Sequence, residues 1–238
     1  MRSSDPRFCW RRRVGRVLLA CLLGWPVRLA ARSACGAGAP VRTASLEEYL
    51  RQFESSYREV RSLRAEFTQT YVLGGKTRLE SGTVYLARGG KMRWDYQQPK
   101  EKTFLSDGKM LLLYIPEENQ LTRSSAKDSE DFRVPLRLLL SRFNLSRVFS
   151  RVEFAEKAWE HDPLNQVLRA YPKRGFEEDY SQVLMELDPE FNIRRLQVLY
   201  PDQSVMELRF DHLERNVVLK PSLFKFAPPA GTEIIDER

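Results

Sequence analysis

Residues able to act as nucleophiles, general bases or metal ligands are few in this chain of 238 residues, and no motif groups them. The two histidines are His161, in the polar turn 160–163, and His212, which follows a predicted strand. Neither forms an H-E-x-x-H metal motif, and no serine stands in a G-x-S-x-G elbow. The acidic cluster 177–179 stands beside a lysine and an arginine, which is typical of a solvated loop. We therefore predict that the chain is not an enzyme and holds no metal or cofactor.

Cysteine chemistry and excess positive charge are both confined to the first 39 residues. The three cysteines are Cys9, Cys21 and Cys35, and the same segment contains eight arginines, no lysine and one acidic residue. Because the whole chain has a formal net charge of +7, residues 40–238 contain equal numbers of acidic and basic side chains. The excess of basic residues thus belongs to the N-terminal segment, and the sequence gives no support for a nucleic-acid partner.

The N-terminal segment has the three parts of a secretory signal peptide. Arginines come first, the apolar run Val17–Val27 follows, and the small residues 37–39 fit an A-x-A cleavage site. The run is too short to span a bilayer as a helix of the mature protein. We predict that residues 1–39 are a cleaved signal peptide and that residues 40–238 form a single domain. A retained membrane anchor and a lipid anchor on Cys35 are the alternatives.

Spacing and turn residues divide the remaining chain into a helix followed by many short strands. Residues 45–48 read Ser-Leu-Glu-Glu, a capping box, and apolar residues at helical spacing predict a helix over 45–61. A polar loop is predicted over 124–131 and a short apolar helix over 134–143. The predicted strands are 63–72, 77–87, 91–97, 102–106, 109–115, 119–123, 148–155, 166–172, 182–188, 191–200 and 203–211, with a last short strand near 223–226.

Large apolar side chains alternate along the strands that flank the turn at Asp107-Gly108. This dipeptide is a strong hairpin signal because glycine adopts positive φ angles without steric cost. A sheet of this size must curl or close. Two interpretations stay open at this point: a sheet packed on its own helices, or a hollow half-barrel that receives a lipid. The residues predicted to share one face are Leu63, Phe67, Met92, Trp94, Tyr96, Leu111 and Leu113.

An ordered series of short motifs runs through nearly all of the chain after residue 39. In order they are Phe67-Thr68-Gln69, Gly82, Arg88, Trp94, Pro99, Ser106-Asp107-Gly108-Lys109, Tyr114, Pro116 and 224–231. This series resembles the outer-membrane lipoprotein carrier proteins of the LolA family. The resemblance implies a mainly β fold, an unclosed antiparallel β-barrel of about 10–11 strands covered by a lid of two or three short α-helices. It also implies a periplasmic chaperone without enzymatic activity.

The resemblance assigns roles to residues of this chain. The seven alternating residues named above are implied to line a pocket for acyl chains. Arg88 is implied to bond the lid backbone and hold the empty pocket closed, a task suited to the five donors of a guanidinium. The family commonly has proline at the next position, where this chain has Gly89. The lid is predicted to cover the pocket with an apolar helix face made of Val134, Leu136, Leu139, Leu140 and Phe143.

The resemblance further implies three kinds of partner and a monomeric state. The partners are lipoproteins bound through their acyl chains, an inner-membrane ABC-type complex that releases them, and an outer-membrane lipoprotein acceptor. Related half-barrels with other roles supply the alternatives, which are an acceptor anchored in the outer membrane and a lipid-binding sensor of envelope stress. An acylated Cys35 would favour the anchored acceptor.

Overall fold

Twelve strands form one open sheet in the residues that the structure, a computed structural model, describes: 45–125, 144–155, 158–175 and 177–237. These residues belong to one compact unit. The order across the sheet is β12-β6-β5-β4-β3-β2-β1-β11-β10-β9-β8-β7, so the sheet ends at β12 and β7 and is not closed. In chain order the strands are β1 Ser62–Leu73, β2 Lys76–Ala87, β3 Lys91–Gln98, β4 Lys102–Asp107, β5 Met110–Ile115, β6 Gln120–Ser125, β7 Phe149–Phe154, β8 Gln166–Pro172, β9 Gln182–Leu187, β10 Ile193–Leu199, β11 Val205–Arg215 and β12 Glu233–Asp236. The predicted fold class, mainly β with an unclosed sheet, is confirmed.

Two α-helices lie within the described residues: α1, Leu46–Glu59, and α2, Leu145–Val148. The Ser45 hydroxyl accepts a hydrogen bond from the Glu48 N–H at 3.2 Å, which confirms the predicted cap at the start of α1. Helix α2 is a single turn, capped by the side chain of Asn144, and it leads directly into β7. In the described part of the chain the α-helical content is therefore small, and the sheet provides most of the framework.

The observed strands agree with the predictions from β1 to β11 and differ at the C-terminal end. The strand predicted near 223–226 is wrong, because Pro221–Phe224 form a 3₁₀ turn with the proline in its first turn. The strand β12 forms further along, from exposed residues without burial alternation. It runs parallel to β6, so the described sheet is antiparallel everywhere except at this pair. The predicted helix over 134–143 lies outside the described residues.

The C-terminal segment 216–237 crosses one face of the sheet, here called the outer face, before it forms β12. The Leu223 carbonyl accepts a hydrogen bond from the Arg93 guanidinium on β3 at 3.3 Å. On the neighbouring edge, the Arg123 guanidinium of β6 donates two hydrogen bonds to the Asp236 carboxylate, at 2.7 and 2.9 Å. Backbone pairing and these polar contacts position β12, whose side chains are exposed. This is why side-chain alternation did not predict it.

Alternate residues of the strands point to one side of the sheet, which we call the inner face. There they form the main core cluster of the protein, and this cluster extends from Leu113 on β5 through β1 to Phe149 on β7. Phe53 and Tyr57 belong to the same cluster, so α1 packs on the inner face. The inner face is therefore one apolar surface that joins both halves of the sheet.

Gly82 allows side chains two strands apart to meet on the inner face. It pairs with Phe67 of β1 on one side and with Tyr96 of β3 on the other, next to a register shift after Ser81. A Cβ atom at this position would lie 2.0 Å from the Asp95 carbonyl oxygen. A glycine within a strand often marks such a close approach. As a result, the Phe67 and Tyr96 rings pack edge-on across β2, with centroids 4.9 Å apart.

Replacing Gly82 with alanine should destabilise the protein by about 3 kcal/mol, because the added methyl group overlaps a backbone oxygen in a packed sheet. Urea unfolding followed by far-UV circular dichroism measures the difference. Ser81→Ala is the matched control, since alternation points its side chain to the outer face, and it should change the free energy of unfolding by less than about 0.5 kcal/mol. Equal stability of the two variants would show that β3 moves aside without cost.

Candidate functional site

All seven predicted pocket residues lie on the inner face and pack in the main core cluster. Six of them are buried, and Leu113 is half-buried. The pairing register explains the grouping, because directly paired residues point to the same side of a sheet. Trp94, for example, pairs with Phe104, which pairs in turn with Leu113. The structure thus brings the seven side chains together, while their role as an acyl-chain pocket stays a prediction.

Aromatic rings occupy the middle of the inner face. The Phe67 ring lies edge-on to Trp94 with centroids 4.7 Å apart, and Trp94 lies 6.4 Å from the ring of Phe210 on β11. Ring contacts of this kind contribute about 0.5–1.5 kcal/mol each beyond the burial of area. The Trp94 Nε1 atom is buried and has no hydrogen-bond partner among the described residues. These rings therefore form the apolar centre of the inner face.

Helix α1 covers the end of the inner face where β1 begins. Phe53 and Tyr57 are buried against the sheet, and the Tyr49 ring packs on Phe191 with centroids 5.1 Å apart. The Tyr57 hydroxyl accepts a hydrogen bond from the Ile193 N–H at 3.3 Å. Burial raises the pKa of Tyr57, so the hydroxyl stays neutral. Sequence analysis predicted α1 without assigning Phe53 and Tyr57 to the site, although their i, i+4 spacing was the available signal.

Arg88 follows β2 and reaches the C-terminus of α1. Its Nε atom donates to the Val60 carbonyl at 3.2 Å, and its Nη2 atom donates to the Arg58 carbonyl. Its backbone N–H donates to the Arg61 carbonyl at 3.1 Å. The last carbonyls of a helix lack intrahelical donors and carry partial negative charge, which suits a guanidinium. Arg88 therefore fixes the point where α1 leads into the sheet.

The predicted lid lies outside the described residues. Its contact with Arg88 therefore stays a prediction. The described bonds of Arg88 go to the end of α1, a helix that packs on the inner face, and do not test the predicted bond to the lid. The lid residues concerned are Val134, Leu136, Leu139, Leu140 and Phe143.

The other end of the inner face is polar. Glu80 of β2 is 8% exposed, and its Oε1 atom accepts a hydrogen bond from Lys102 Nζ at 2.7 Å. The Lys102 ammonium lies 4.2 Å from the centroid of the Tyr96 ring, whose hydroxyl donates to Gln69 Oε1 at 3.0 Å. Burial raises the pKa of Tyr96, and the Glu80 carboxylate raises it further. We call Gln69, Glu80, Tyr96 and Lys102 the polar cluster.

The two histidines named from the sequence lie within the described residues, each beside a different element. His161 contacts the Trp159 carbonyl through Nδ1, whereas His212 lies on β11 near Glu66. Among the described residues, no three side chains of His, Cys, Asp or Glu lie close enough together to hold a metal ion. Within the same ranges, no helix has both the length and the apolar character needed to cross a bilayer.

Residues 58–227 match the family model described as outer membrane lipoprotein carrier protein LolA. The chain belongs to the LolA family. The carriers of this family are not enzymes, in agreement with the prediction from the sequence. The resemblance noted in the sequence motifs is confirmed.

Two relatives named outer-membrane lipoprotein carrier protein illustrate the match. The protein of Dechloromonas aromatica is 28% identical over 191 residues, covering 78% of this chain and 86% of the relative. The protein of Alkalilimnicola ehrlichii is 30% identical over 182 residues, covering 76% of this chain and 80% of the relative. Among solved structures, an uncharacterized conserved protein from Thermus thermophilus has a TM-score of 0.51 at 13% identity, covering 80% of this chain and 98% of that chain. This last likeness concerns the fold alone.

Removing the Arg88 guanidinium should loosen the end of α1. In Arg88→Leu the Arg58 and Val60 carbonyls lose their donors, and a bond from a charged donor contributes on the order of 1.5 kcal/mol, or roughly tenfold in a local opening equilibrium. Amide hydrogen exchange over residues 58–62 should accelerate by about that factor, while exchange in β8 and β9 stays unchanged. Lys76→Ala, at the exposed start of β2, should leave α1 unaffected. Unchanged exchange at the end of α1 in Arg88→Leu would contradict the holding role.

Proposed function

We propose that this protein binds the acyl chains of lipoproteins released from the inner membrane and carries them across the periplasm to an outer-membrane acceptor. The observation that carries the proposal is the continuous apolar inner face of an open sheet in a member of the LolA family. The names of its relatives, outer-membrane lipoprotein carrier proteins, support the same cargo.

The physical need for a carrier follows from the cost of exposing lipid to water. Burial of an acyl chain contributes about 0.8 kcal/mol per CH₂ group, so a lipoprotein with two or three chains does not cross an aqueous compartment unaided. A carrier must offer apolar surface that replaces the bilayer. The aromatic and aliphatic side chains of the inner face, from Leu63 to Leu113, have this chemical character.

The dimensions of the inner face fit an acyl chain laid along the strands. From Leu63 to Gln69, β1 advances six residues, which corresponds to about 20 Å of strand. One leaflet contributes about half of the roughly 30 Å hydrocarbon core of a bilayer. An acyl chain of membrane length thus fits between the end covered by α1 and the polar cluster. Because the pocket residues are buried here, cargo must displace whatever covers them.

The cover that moves is proposed to be the predicted lid helix over 134–143. Its apolar face, formed by Val134, Leu136, Leu139, Leu140 and Phe143, would lie on the empty pocket and leave it when cargo enters. Arg88 would favour the closed state through charge-assisted bonds to the backbone of this lid helix. The closed, empty state and the open, loaded state would then have similar free energies, which a carrier needs in order to release its cargo.

The proposed route also requires export and two partners. Residues 1–39 would be removed as a signal peptide, which places the mature, monomeric protein in the periplasm. An inner-membrane ABC-type complex would deliver the lipoprotein and an outer-membrane acceptor would receive it. Mass spectrometry of the mature N-terminus tests this arrangement. A free Pro40 supports the soluble carrier, whereas an acylated Cys35 would make the protein an anchored acceptor instead.

Binding of an acyl probe should depend on the inner face. In a Trp159→Phe background, which leaves Trp94 as the only tryptophan after residue 39, addition of a triacylated peptide should shift the emission of Trp94 and saturate at about one peptide per protein. Leu113→Glu should weaken this binding at least about tenfold, because the bound chains would desolvate a carboxylate.

The matched control for this measurement is Leu112→Glu. Leu112 is also half-buried and is adjacent in sequence, but it points to the outer face. It should therefore leave the affinity unchanged. Absence of saturable binding to the unsubstituted protein, or an equal loss in both variants, would contradict an acyl-chain pocket on the inner face.

Release of cargo should depend on Arg88. In Arg88→Leu the empty closed state loses the proposed charge-assisted hydrogen bonds to the lid backbone, which contribute on the order of 1.5–3 kcal/mol each. The cargo-bound open state loses little, because the lid has moved away from Arg88 there. The equilibrium then shifts toward the open form, so loading should persist and transfer to the acceptor should fail. A transfer assay with pre-loaded protein measures both steps, with Lys76→Ala as control. Normal transfer by a stably folded Arg88→Leu protein would leave Arg88 with a structural role at the end of α1.

A further inference from the structure

The polar cluster contains a buried carboxylate with an unused oxygen. Glu80 faces inward at 8% exposure, and its Oε1 atom bonds Lys102 and lies 3.7 Å from Nε of the exposed Arg78. Its buried Oε2 atom has no hydrogen-bond partner among the described residues. Burial of an ionised oxygen without a partner is costly, so such an atom calls for an explanation. A ligand with an N–H donor at this position would supply the missing bond.

Stability alone does not account for the cluster. A buried ion pair contributes little net stability, because the cost of desolvation offsets much of the attraction. Apolar residues at positions 80 and 102 would extend the apolar surface that Val84, Trp94 and Phe104 form in the middle of the sheet. The chain instead places a carboxylate and an ammonium where the apolar residues of the inner face end. We call these apolar residues, between α1 and the polar cluster, the apolar strip.

The cluster also has donors left to offer. The Lys102 ammonium has three N–H donors, of which one is directed to Glu80, and its side chain keeps 24% exposure. Gln69 uses its Oε1 atom toward Tyr96, which leaves its amide N–H groups for another acceptor. The cluster therefore presents an anionic acceptor beside cationic and neutral donors at one end of a long apolar strip.

We infer that the polar cluster binds the polar junction of a lipid-modified N-terminal cysteine, where the acyl chains meet the peptide. This inference rests on the proposed function. Such a junction carries ester and amide carbonyls, which are acceptors, and an N–H group on the cysteine nitrogen, which is a donor. Lys102 and Gln69 donate to the carbonyls, and Glu80 Oε2 accepts from the N–H. The acyl chains then run along the apolar strip toward α1.

This arrangement sets the depth of the cargo. An apolar strip without a polar end allows a chain to slide along its length, since burial depends on area and has no direction. Hydrogen bonds do have direction and fix a position. With the junction held at Glu80 and Lys102, the chains fill the face while the peptide leaves the protein at that end.

The test compares two ligands on matched variants. The double variant Glu80→Gln/Lys102→Met removes both charges together, so that no unpaired charge remains buried. The control Arg64→Met/Glu214→Gln removes an ion pair of 2.8 Å between β1 and β11 on the outer face. The ligands are a triacylated cysteinyl peptide and an alkyl-pyrene probe that lacks carbonyl and N–H groups. Thermal unfolding verifies that all proteins are folded.

The cluster variant should bind the triacylated peptide about tenfold more weakly than the unsubstituted protein and should bind the alkyl-pyrene with unchanged affinity. The control variant should match the unsubstituted protein with both ligands. Unchanged binding of the peptide to the cluster variant would overturn the inference while leaving the proposed function intact, and so would an equal loss for both ligands. If the unsubstituted protein binds neither ligand, the proposed function itself fails.

Discussion

The register of β1 against its two neighbours determines the composition of the inner face. β1 is central in the sheet and pairs with β2 along its length on one side and with β11 on the other. Because side chains alternate, a slip of one residue would turn Leu63 and Phe67 outward and bring Arg64 and Glu66 inward. Both halves of the sheet are attached through this strand, so their apolar faces join only in the observed register. The apolar strip, the packing of α1 and the polar cluster all depend on the register of β1.

Helix α1 is attached to the rest of the protein by two different kinds of interaction, and this difference decides what can move. Phe53 and Tyr57 anchor α1 through buried aromatic surface, which is costly to separate. Arg88, by contrast, holds only the end of that helix through exposed hydrogen bonds. Loss of the exposed bonds leaves the buried anchor in place. A rearrangement that admits acyl chains is therefore expected to leave the body of α1 on the sheet and to involve other parts of the cover.

Sequence patterns predicted the fold well because burial alternation is a direct consequence of the sheet. The strands β1 to β11, the hairpin turn at Asp107-Gly108 and the cap at Ser45 all carry local signals, and the structure bears them out. Sequence patterns did not predict β12, because backbone pairing and the contact between Arg123 and Asp236 hold this strand, and neither leaves a periodic pattern in the sequence.

The candidate site was only partly predictable for the same reason. The apolar strip was visible as alternation, and its grouping in space follows from the register. Glu80 and Lys102 stand at alternating positions as well, but an isolated charged residue on a strand ordinarily indicates a solvent-facing position. Only the register of β2, β3 and β4 brings the two side chains together, with the Lys102 ammonium over the Tyr96 ring. Long-range pairing, which local sequence does not encode, thus creates the polar end of the site.

A sheet whose inner face is proposed to receive cargo needs support from its other side. The outer face of β3 and β4 is covered by the C-terminal turn Pro221–Phe224, against which Arg93 donates a hydrogen bond. Leu105, which points outward from β4, is buried, as is Phe224 of the turn. The same segment then covers the edge of β6 with β12, which removes a row of unpaired backbone groups. Because these contacts lie on the outer face and edge, the proposed exchange of the inner cover for acyl chains would not break the contacts that hold the strands in place.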